Sequence, residues 1–226
     1  LLLERVPATL QLGIAAIVIG LLIGVPVAIL SADYPGSTLD RALSGWSALA
    51  LGVPTLWLGI LLILLFAVEL RWLPSASTYV SFLDSPGQAL RNLALPATTL
   101  GVYVSGIFAR FLRAALLGEL TADYVRTARA KGLPERDVIG RHVMRNALLP
   151  FVTIVGLMLA NFIGGALVTE AVFTYPGLGR LLIQAISTRD YPLIQGAILF
   201  ILVIYVMINL LVDVLYAYID PRIEYG

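Results

Sequence analysis

Residues 123–150 read DYVRTARAKGLPERDVIGRHVMRNALLP, a strongly charged stretch in a chain that is otherwise apolar. Hydrophobic residues make up 59% of the 226 residues and charged residues only 13%, whereas globular proteins average roughly 25% charged residues. The interval from Arg110 to Arg145 holds eight of the fifteen basic residues of the chain, against four acidic residues. Positive charge is therefore concentrated in one interval, and the rest of the chain has the composition of a membrane protein.

Outside this interval, five windows contain no Asp, Glu, Lys or Arg and approach or exceed the length of about 20 apolar residues that a membrane-spanning helix needs. They predict spans at about 6–32, 42–68, 92–112, 146–169 and 191–216. The third is the shortest, and it reaches spanning length if Arg110 directs its guanidinium to the membrane surface. We therefore predict an all-α integral membrane protein with five transmembrane helices in a single transmembrane domain, residues 1–226.

The orientation follows from the preference of Lys and Arg for cytoplasmic loops. It places the basic interval, the turn at 33–41 and the C-terminus in the cytoplasm. Residues 1–5 and the connections 69–91 and 170–190 then lie outside. The outer connection at about 173–191 contains a Tyr-Pro-Gly-Leu-Gly break followed by a short amphipathic run, which suits a segment covering the outer surface.

Within the basic interval, local signals predict a helix–turn–helix outside the bilayer, at about 119–147. A first helix from Tyr124 to Lys131 would end at Gly132, because glycine accepts the left-handed conformation that closes helices. Pro134 suits the first position of a second helix. In that helix Asp137 and Arg141 are four residues apart and form a favourable pair.

Three functions fit this element when the residues alone are considered. It can be a topology-determining loop that also touches anionic lipid, or a docking element for a cytoplasmic protein. A nucleic-acid-binding helix–turn–helix is disfavoured, because both of its ends are tethered to the membrane within a few residues. We expect no nucleic-acid partner.

The stretch also resembles the cytoplasmic coupling loop of ABC importer permeases. In that family Glu-Ala-Ala is followed after three residues by Gly, and the run closes in Leu-Pro; here Arg126-Thr127-Ala128, Gly132 and Leu149-Pro150 stand at these places. Arg126 and the longer run after Gly132 are features of the dipeptide/oligopeptide/nickel branch. Further stretches are similar to that branch along essentially the whole chain: LDRAL, GVPTLWLGILLILLF, VFTYPGLGRLLIQAI, RDYPLIQG and NLLVDVLYAYIDPRI.

The resemblance implies a type I importer architecture and a set of partners. These are a second, homologous permease, two cytoplasmic P-loop ATPases that bind ATP-Mg, and an extracytoplasmic solute-binding protein. The chain itself would be a multi-pass protein of the bacterial cytoplasmic membrane, embedded in lipid, with no cofactor of its own. Family members carry a further N-terminal helix and extracytoplasmic segment, so we expect the chain to begin after them.

The resemblance and the positions along the helices also yield candidate site residues. The ATPase-docking candidates are Tyr124, Ala128, Arg129, Gly132 and Leu133. Candidates for the translocation path are Asn161, Gly164 and Glu170. Candidates for an outer gate or binding-protein contact are Tyr175, Pro176, Gly177 and Gly179.

No enzyme activity is expected of the chain. Lys131, the sole lysine, is followed by Gly132 rather than by Ser or Thr, so there is no Walker A pattern. One histidine (His142) and no cysteine cannot supply a usual transition-metal site. We expect an importer of short peptides, or of a related solute such as a nickel complex, glutathione or a sugar. The alternative is an ion-coupled secondary transporter that uses Glu170 and Asp213 within its spans.

Overall fold

The computed structural model describes residues 1–134 and 137–219, without the side chains of 163–165, 213 and 215–219, and its regular structure in that part is entirely helical. The α-helices are α1 (Leu2–Asp33), α2 (Thr38–Gly52), α3 (Thr55–Leu62), α4 (Pro86–Leu120), α5 (Asp123–Ala130), α6 (Met144–Gly165), α7 (Leu167–Val172), α8 (Leu178–Thr188) and α9 (Tyr191–Ile219). Two π-helical segments join them: Ile63–Glu69 continues α3, and Val138–Val143 leads into α6. The predicted all-α class is confirmed.

The described residues contain four helices that are long and apolar enough to cross a membrane: α1, α4, the run Val138–Phe162 and the part of α9 from Tyr191 to Val212. A fifth span is formed by α2 and α3 together if the two are counted as one broken crossing. On that count the number of spans agrees with the five predicted from the sequence.

The predicted second span, 42–68, is not one continuous helix, because α2 and the α3 segment meet at 95°. Val53 and Pro54 both adopt extended backbone angles at the corner, with ψ values of 121° and 130°. Proline has no N–H to donate and forces the preceding residue out of the helical region. Hydropathy is uniform through this segment, so the apolar pattern alone could not locate the corner.

The connections fall into two groups, as the predicted orientation requires. On one side, the turn after α1 meets the C-terminal part of α4 through an ion pair between Asp40 and Arg113. On the other side, Ser77 donates its backbone N–H to the carbonyl of Phe173 at 2.8 Å, and Gln11 donates to the carbonyl of Val80 at 3.0 Å. The broken α2–α3 segment therefore runs from the inner group to the outer group.

Two helices extend beyond the segments predicted from the sequence. The third span, predicted at 92–112, belongs to a longer helix, α4, which starts at Pro86 in the outer connection and ends at Leu120. The second helix of the cytoplasmic element, predicted within about 119–147, is not separated from the fourth span. It continues without a break from Val138 through Pro150 to Gly165. The last carbonyl groups of its cytoplasmic part accept hydrogen bonds from residues of the fourth span, so the helix has no end there.

The centre of the molecule is the pair α1 and α4, which approach each other over small residues. A Cβ atom added to Gly24 would lie 2.8 Å from the carbonyl oxygen of Ser105, and one added to Gly101 would lie 2.6 Å from Ile19 Cγ2. Helices in lipid gain no hydrophobic attraction from each other, so close backbone approach supplies the packing. Close backbone approach at glycines therefore holds α1 against α4.

Replacing Gly24 with alanine should therefore destabilise the protein. The new methyl group would collide with the backbone of α4, and overpacking of this kind costs about 1–3 kcal/mol. Gly45→Ala in α2 is the matched control, because a Cβ atom there meets no atom within 4 Å. Thermal unfolding of both purified variants checks this; equal midpoints for the two would contradict the close contact of α1 and α4.

Candidate functional site

The cytoplasmic element begins with α5, which ends as the sequence predicted. Gly132 adopts a positive φ of 77°. Its N–H binds the carbonyl of Arg129 at 2.9 Å, and the N–H of Leu133 binds the carbonyl of Ala128 at 3.3 Å. These two bonds are the Schellman arrangement, which satisfies the carbonyl groups left free at a helix end. The chain therefore turns sharply at Gly132, and we call residues 123–134 the knuckle.

The knuckle presents one face to solvent and the other to its own subunit. Val125 and Ala128 are buried, whereas Arg129, Gly132 and Leu133 are exposed. Of the five docking candidates, the exposed three form an accessible surface. Ala128, with its side chain turned inward, supports that surface without being part of it.

Tyr124, the fifth docking candidate, is half-buried at the base of the knuckle. Its hydroxyl donates a hydrogen bond to the carboxylate of Glu119 at the end of α4. Burial, together with the neighbouring Glu119 carboxylate, raises the pKa of the Tyr124 hydroxyl, so the proton of this bond is retained at neutral pH. Tyr124 therefore fastens the knuckle to α4.

The described part of the chain after the knuckle is bound tightly to the spans. Val138, Val143 and Ala147 are completely buried, and the helical run that contains them becomes the fourth span. The predicted pair of Asp137 and Arg141 forms at 3.9 Å, with Arg141 81% exposed. Exposed pairs contribute little, so apolar burial rather than this pair holds the element in place.

Below the knuckle, a buried ion pair joins three helices. Asp40 in the first turn of α2 is 5% exposed. Arg113 of α4 donates to both of its carboxylate oxygens, from Nε at 2.9 Å and from the terminal nitrogen at 2.8 Å. Ser31 of α1 and the N–H of Gly36 also donate to the carboxylate. We call this arrangement the inner clamp.

The sequence prediction missed the inner clamp. Arg113 was counted among the free charges of the basic interval, although its guanidinium is neutralised by Asp40. A partial signal was present: Ser37 and Asp40 have the spacing of a helix cap, and Ser37 does accept the N–H of Asp40 at 3.1 Å. That signal marks the start of α2 but does not indicate a partner 73 residues away.

A second buried carboxylate lies at the outer side. Glu170 of α7 is 0% exposed. Thr9 of α1 donates to one of its oxygens at 2.7 Å, and the N–H of Arg180 donates to the other at 3.1 Å. Thr9 in turn accepts the N–H of Leu178 at 2.9 Å. We call this arrangement the outer clamp; it joins α1, α7 and α8, and Glu170 has no free surface toward a path within this subunit.

The Tyr-Pro-Gly-Leu-Gly segment packs directly on the outer clamp. A Cβ atom added to Gly177 would lie 2.2 Å from the Glu170 carboxylate oxygen, and one added to Gly179 would lie 2.6 Å from the Cα of Leu167. Pro176 is partly exposed and its carbonyl accepts from Arg5 at 3.3 Å, whereas Tyr175 is completely buried. Of the four outer candidates, Pro176 is thus the one accessible for contact, and the gate role stays a prediction.

The third candidate region is a groove beside the break in the second span. It has a volume of about 570 Å³ and is bordered by the corner at Val53 and Pro54, by Tyr103 of α4 and by Asn161 of α6. The amide nitrogen of Asn161 donates to the carbonyl of Leu157 at 3.0 Å. Asn161 lines this open space, and its role in the translocation path stays a prediction. The surroundings of Gly164 and the side chain of Asp213 lie outside the described part.

Comparison with known protein families identifies the family of this chain. Residues 24–225 match the family described as binding-protein-dependent transport system inner membrane component. The chain belongs to this family. The resemblance inferred from residues 123–150 is thereby confirmed, as is the inner membrane as the location.

Relatives and a solved structure agree with the assignment of this chain to the family of inner membrane components. The chain is 44% identical to a putative peptide transport system permease protein of Brucella abortus, over 98% of this chain and 70% of that protein. It is 40% identical to the oligopeptide transport system permease protein AppB of Bacillus subtilis, over 100% of this chain and 72% of AppB. A chain of the inward-facing MetNI methionine ABC transporter shares its fold, with a TM-score of 0.77 at 20% identity over 97% of this chain and 96% of that one.

The inner clamp leads to a prediction about the stability of the protein. Asp40→Asn leaves the Arg113 guanidinium without its counter-charge and removes the carboxylate that accepts from α1, α4 and the turn at Gly36, so it should lower the unfolding midpoint clearly. Asp137→Asn is the matched control, since it removes one partner of an exposed pair and should cost no more than about 1 kcal/mol. Thermal unfolding in detergent compares the two; an Asp137 variant as unstable as the Asp40 variant would contradict the assigned difference.

Proposed function

We propose that this chain is a pore-forming subunit of an ATP-driven importer, and that the imported solutes are short peptides. Its partners are then a second permease, two P-loop ATPases that hydrolyse ATP-Mg, and an extracytoplasmic binding protein. The chain supplies the path and the mechanical coupling, and the nucleotide chemistry takes place in the ATPases. Among the solutes considered from the sequence, peptides are favoured because the relatives at 40–44% identity are named as peptide or oligopeptide permeases.

One observation carries the coupling role: the buried side of the knuckle packs in the same core as the spans. Arg129, Gly132 and Leu133 are exposed at its tip, while Val125 and Ala128 are buried in the core of the subunit. A force applied at the tip is therefore transmitted to the helical run Val138–Gly165 and to α4. A lipid-binding loop alone would not require this rigid connection.

The groove supports the proposal that the imported solutes are short peptides. It lies next to a corner in the backbone, where helical hydrogen bonding is interrupted, and it presents Asn161 and Tyr103. Non-helical backbone at membrane depth is tolerated where it lines a cavity. A peptide carries amide groups along its length, and hydrogen-bonding groups in such a groove suit it better than a purely apolar wall would.

The test compares two arginine substitutions at glycines with the same backbone strain. Gly132 and Gly36 have φ values of 77° and 78°, and a Cβ atom at either meets nothing within 4 Å. Both lie on the cytoplasmic side, but only Gly132 is in the knuckle. We expect Gly132→Arg to abolish uptake of a labelled tripeptide and the recovery of the ATPase on affinity purification. Gly36→Arg should retain both, because its turn lies outside the knuckle and its backbone N–H, which any residue keeps, can still donate to Asp40.

The outcomes separate the parts of the proposal. Loss of the ATPase from both variants, or from neither, would contradict docking through the knuckle. Recovery of the ATPase with the wild type but uptake of nickel or a sugar instead of peptides would contradict the substrate and leave the coupling intact. Wild-type protein that purifies without any ATPase, and whose transport follows an ion gradient, would favour the secondary transporter.

A further inference from the structure

A pocket bordered by α1, α2 and α4 lies beside the inner clamp, with which it shares Ser31 and Arg113. It has a volume of about 320 Å³. Its polar wall is formed by Ser31, Ser44, Ser47, Arg110 and Arg113, and its apolar wall includes Val27 and Leu51. The pocket therefore combines two guanidinium groups and three hydroxyl groups with a hydrocarbon surface.

The depth of the pocket is fixed by the sequence around it. Arg110 directly follows the charge-free window 92–109, and Arg41 directly precedes the window 42–68. Both arginines mark the level at which the chain passes from the hydrocarbon core to the cytoplasmic surface. The polar wall therefore lies at the level of the lipid headgroups, and Val27 and Leu51 lie on the hydrocarbon side.

The two arginines of the pocket differ in their hydrogen-bond partners within the subunit. Arg113 is engaged by Asp40 through Nε and one terminal nitrogen, and its other terminal nitrogen makes no hydrogen bond to residues 1–134 or 137–219. Arg110 is exposed and has no hydrogen bond or ion pair within the described part of the chain. Asp40 balances one of these two charges, so the pocket keeps an excess positive charge at Arg110.

We infer that this pocket binds the phosphate of an anionic phospholipid from the cytoplasmic leaflet. Arg110 would provide the main charge, the free terminal nitrogen of Arg113 would add a hydrogen bond, and an acyl chain would lie along Val27 and Leu51. Basic pockets between transmembrane helices on the cytoplasmic side are suited to anionic headgroups. The combination of charge and an apolar wall at this depth favours a lipid over a free anion, which has no use for the apolar wall.

A lipid bound in this pocket would contact the inner clamp through Arg113. Arg113 is shared between Asp40 and the pocket, so a phosphate beside it adds a negative charge next to the buried ion pair. Because the phosphate would bind Arg110 of α4 while the acyl chain contacts Val27 of α1 and Leu51 of α2, the bound lipid would link these three helices. This inference requires only the membrane location and does not depend on the transported solute.

The experiment uses protein purified from membranes with its bound subunits and reconstituted in nanodiscs of phosphatidylglycerol and phosphatidylcholine. After extraction into detergent, native mass spectrometry counts the retained phosphatidylglycerol. We expect the wild type to retain it selectively and Arg110→Gln to retain it about fivefold less, as the loss of one lipid-facing arginine implies.

Two further variants distinguish the pocket from general attraction to the membrane surface. Arg41→Gln removes the same charge at the same depth but outside the pocket, and it should retain phosphatidylglycerol as the wild type does. Ala48→Phe fills the pocket, which Ala48 lines, without changing charge, and it should lower retention. An excess of inorganic phosphate should not displace the lipid.

Four results would overturn the inference. They are equal losses in the Arg41 and Arg110 variants, unchanged retention in Ala48→Phe, displacement by phosphate alone, and no preference for phosphatidylglycerol in the wild type. Loss of the second permease from Arg110→Gln would also overturn it, because the occupant would then be a protein carboxylate. Thermal unfolding of each variant shows that the fold is intact.

Discussion

The pairing of Arg113 with the buried carboxylate of Asp40 is the interaction on which the cytoplasmic half of the molecule depends. A carboxylate that is 5% exposed is tolerated only when its lone pairs are satisfied by good donors. The donors here come from α1, α4 and the turn at Gly36, so satisfying one charge fixes three elements. Because α4 ends only two residues before α5 begins, the knuckle is held at the same point.

The outer half is organised in the same way by Glu170, whose donors come from α1 and the start of α8. The broken second span lies between these two clamps. It begins at the inner clamp, and the connection that follows it is tied to Phe173 beside the outer clamp. The corner at Pro54 borders the groove with Asn161. A change in the width of the groove therefore requires the corner to move while both ends of the segment remain anchored.

Most of the fold could be predicted from the sequence, because the lengths of apolar runs indicate the spans. Glycine indicates where a helix ends, as at Gly132. The sequence could not predict the corner at Pro54, since the same residue is accommodated inside helices at Pro7, Pro26, Pro96 and Pro150. The local rule for proline is identical at all these places, and only the surrounding helices decide the outcome. In the site, motif position indicated Ala128 but not the side on which it lies. The pairing of Asp40 with Arg113 was missed because pairs distant in sequence leave no local pattern.

The most direct test of the account is whether the knuckle and the inner clamp move as one body. The chain contains no cysteine, so spin labels can be placed through Tyr34→Cys at the turn and Lys131→Cys in the knuckle, both at exposed positions. Double electron–electron resonance on the purified transporter then compares the nucleotide-free and the vanadate-trapped states. If the knuckle and the inner clamp move together, the distance distribution is narrow and unchanged between the two states. A distribution that shifts or broadens on trapping would show that the knuckle moves independently of the clamp, and it would contradict the rigid coupling on which the account rests.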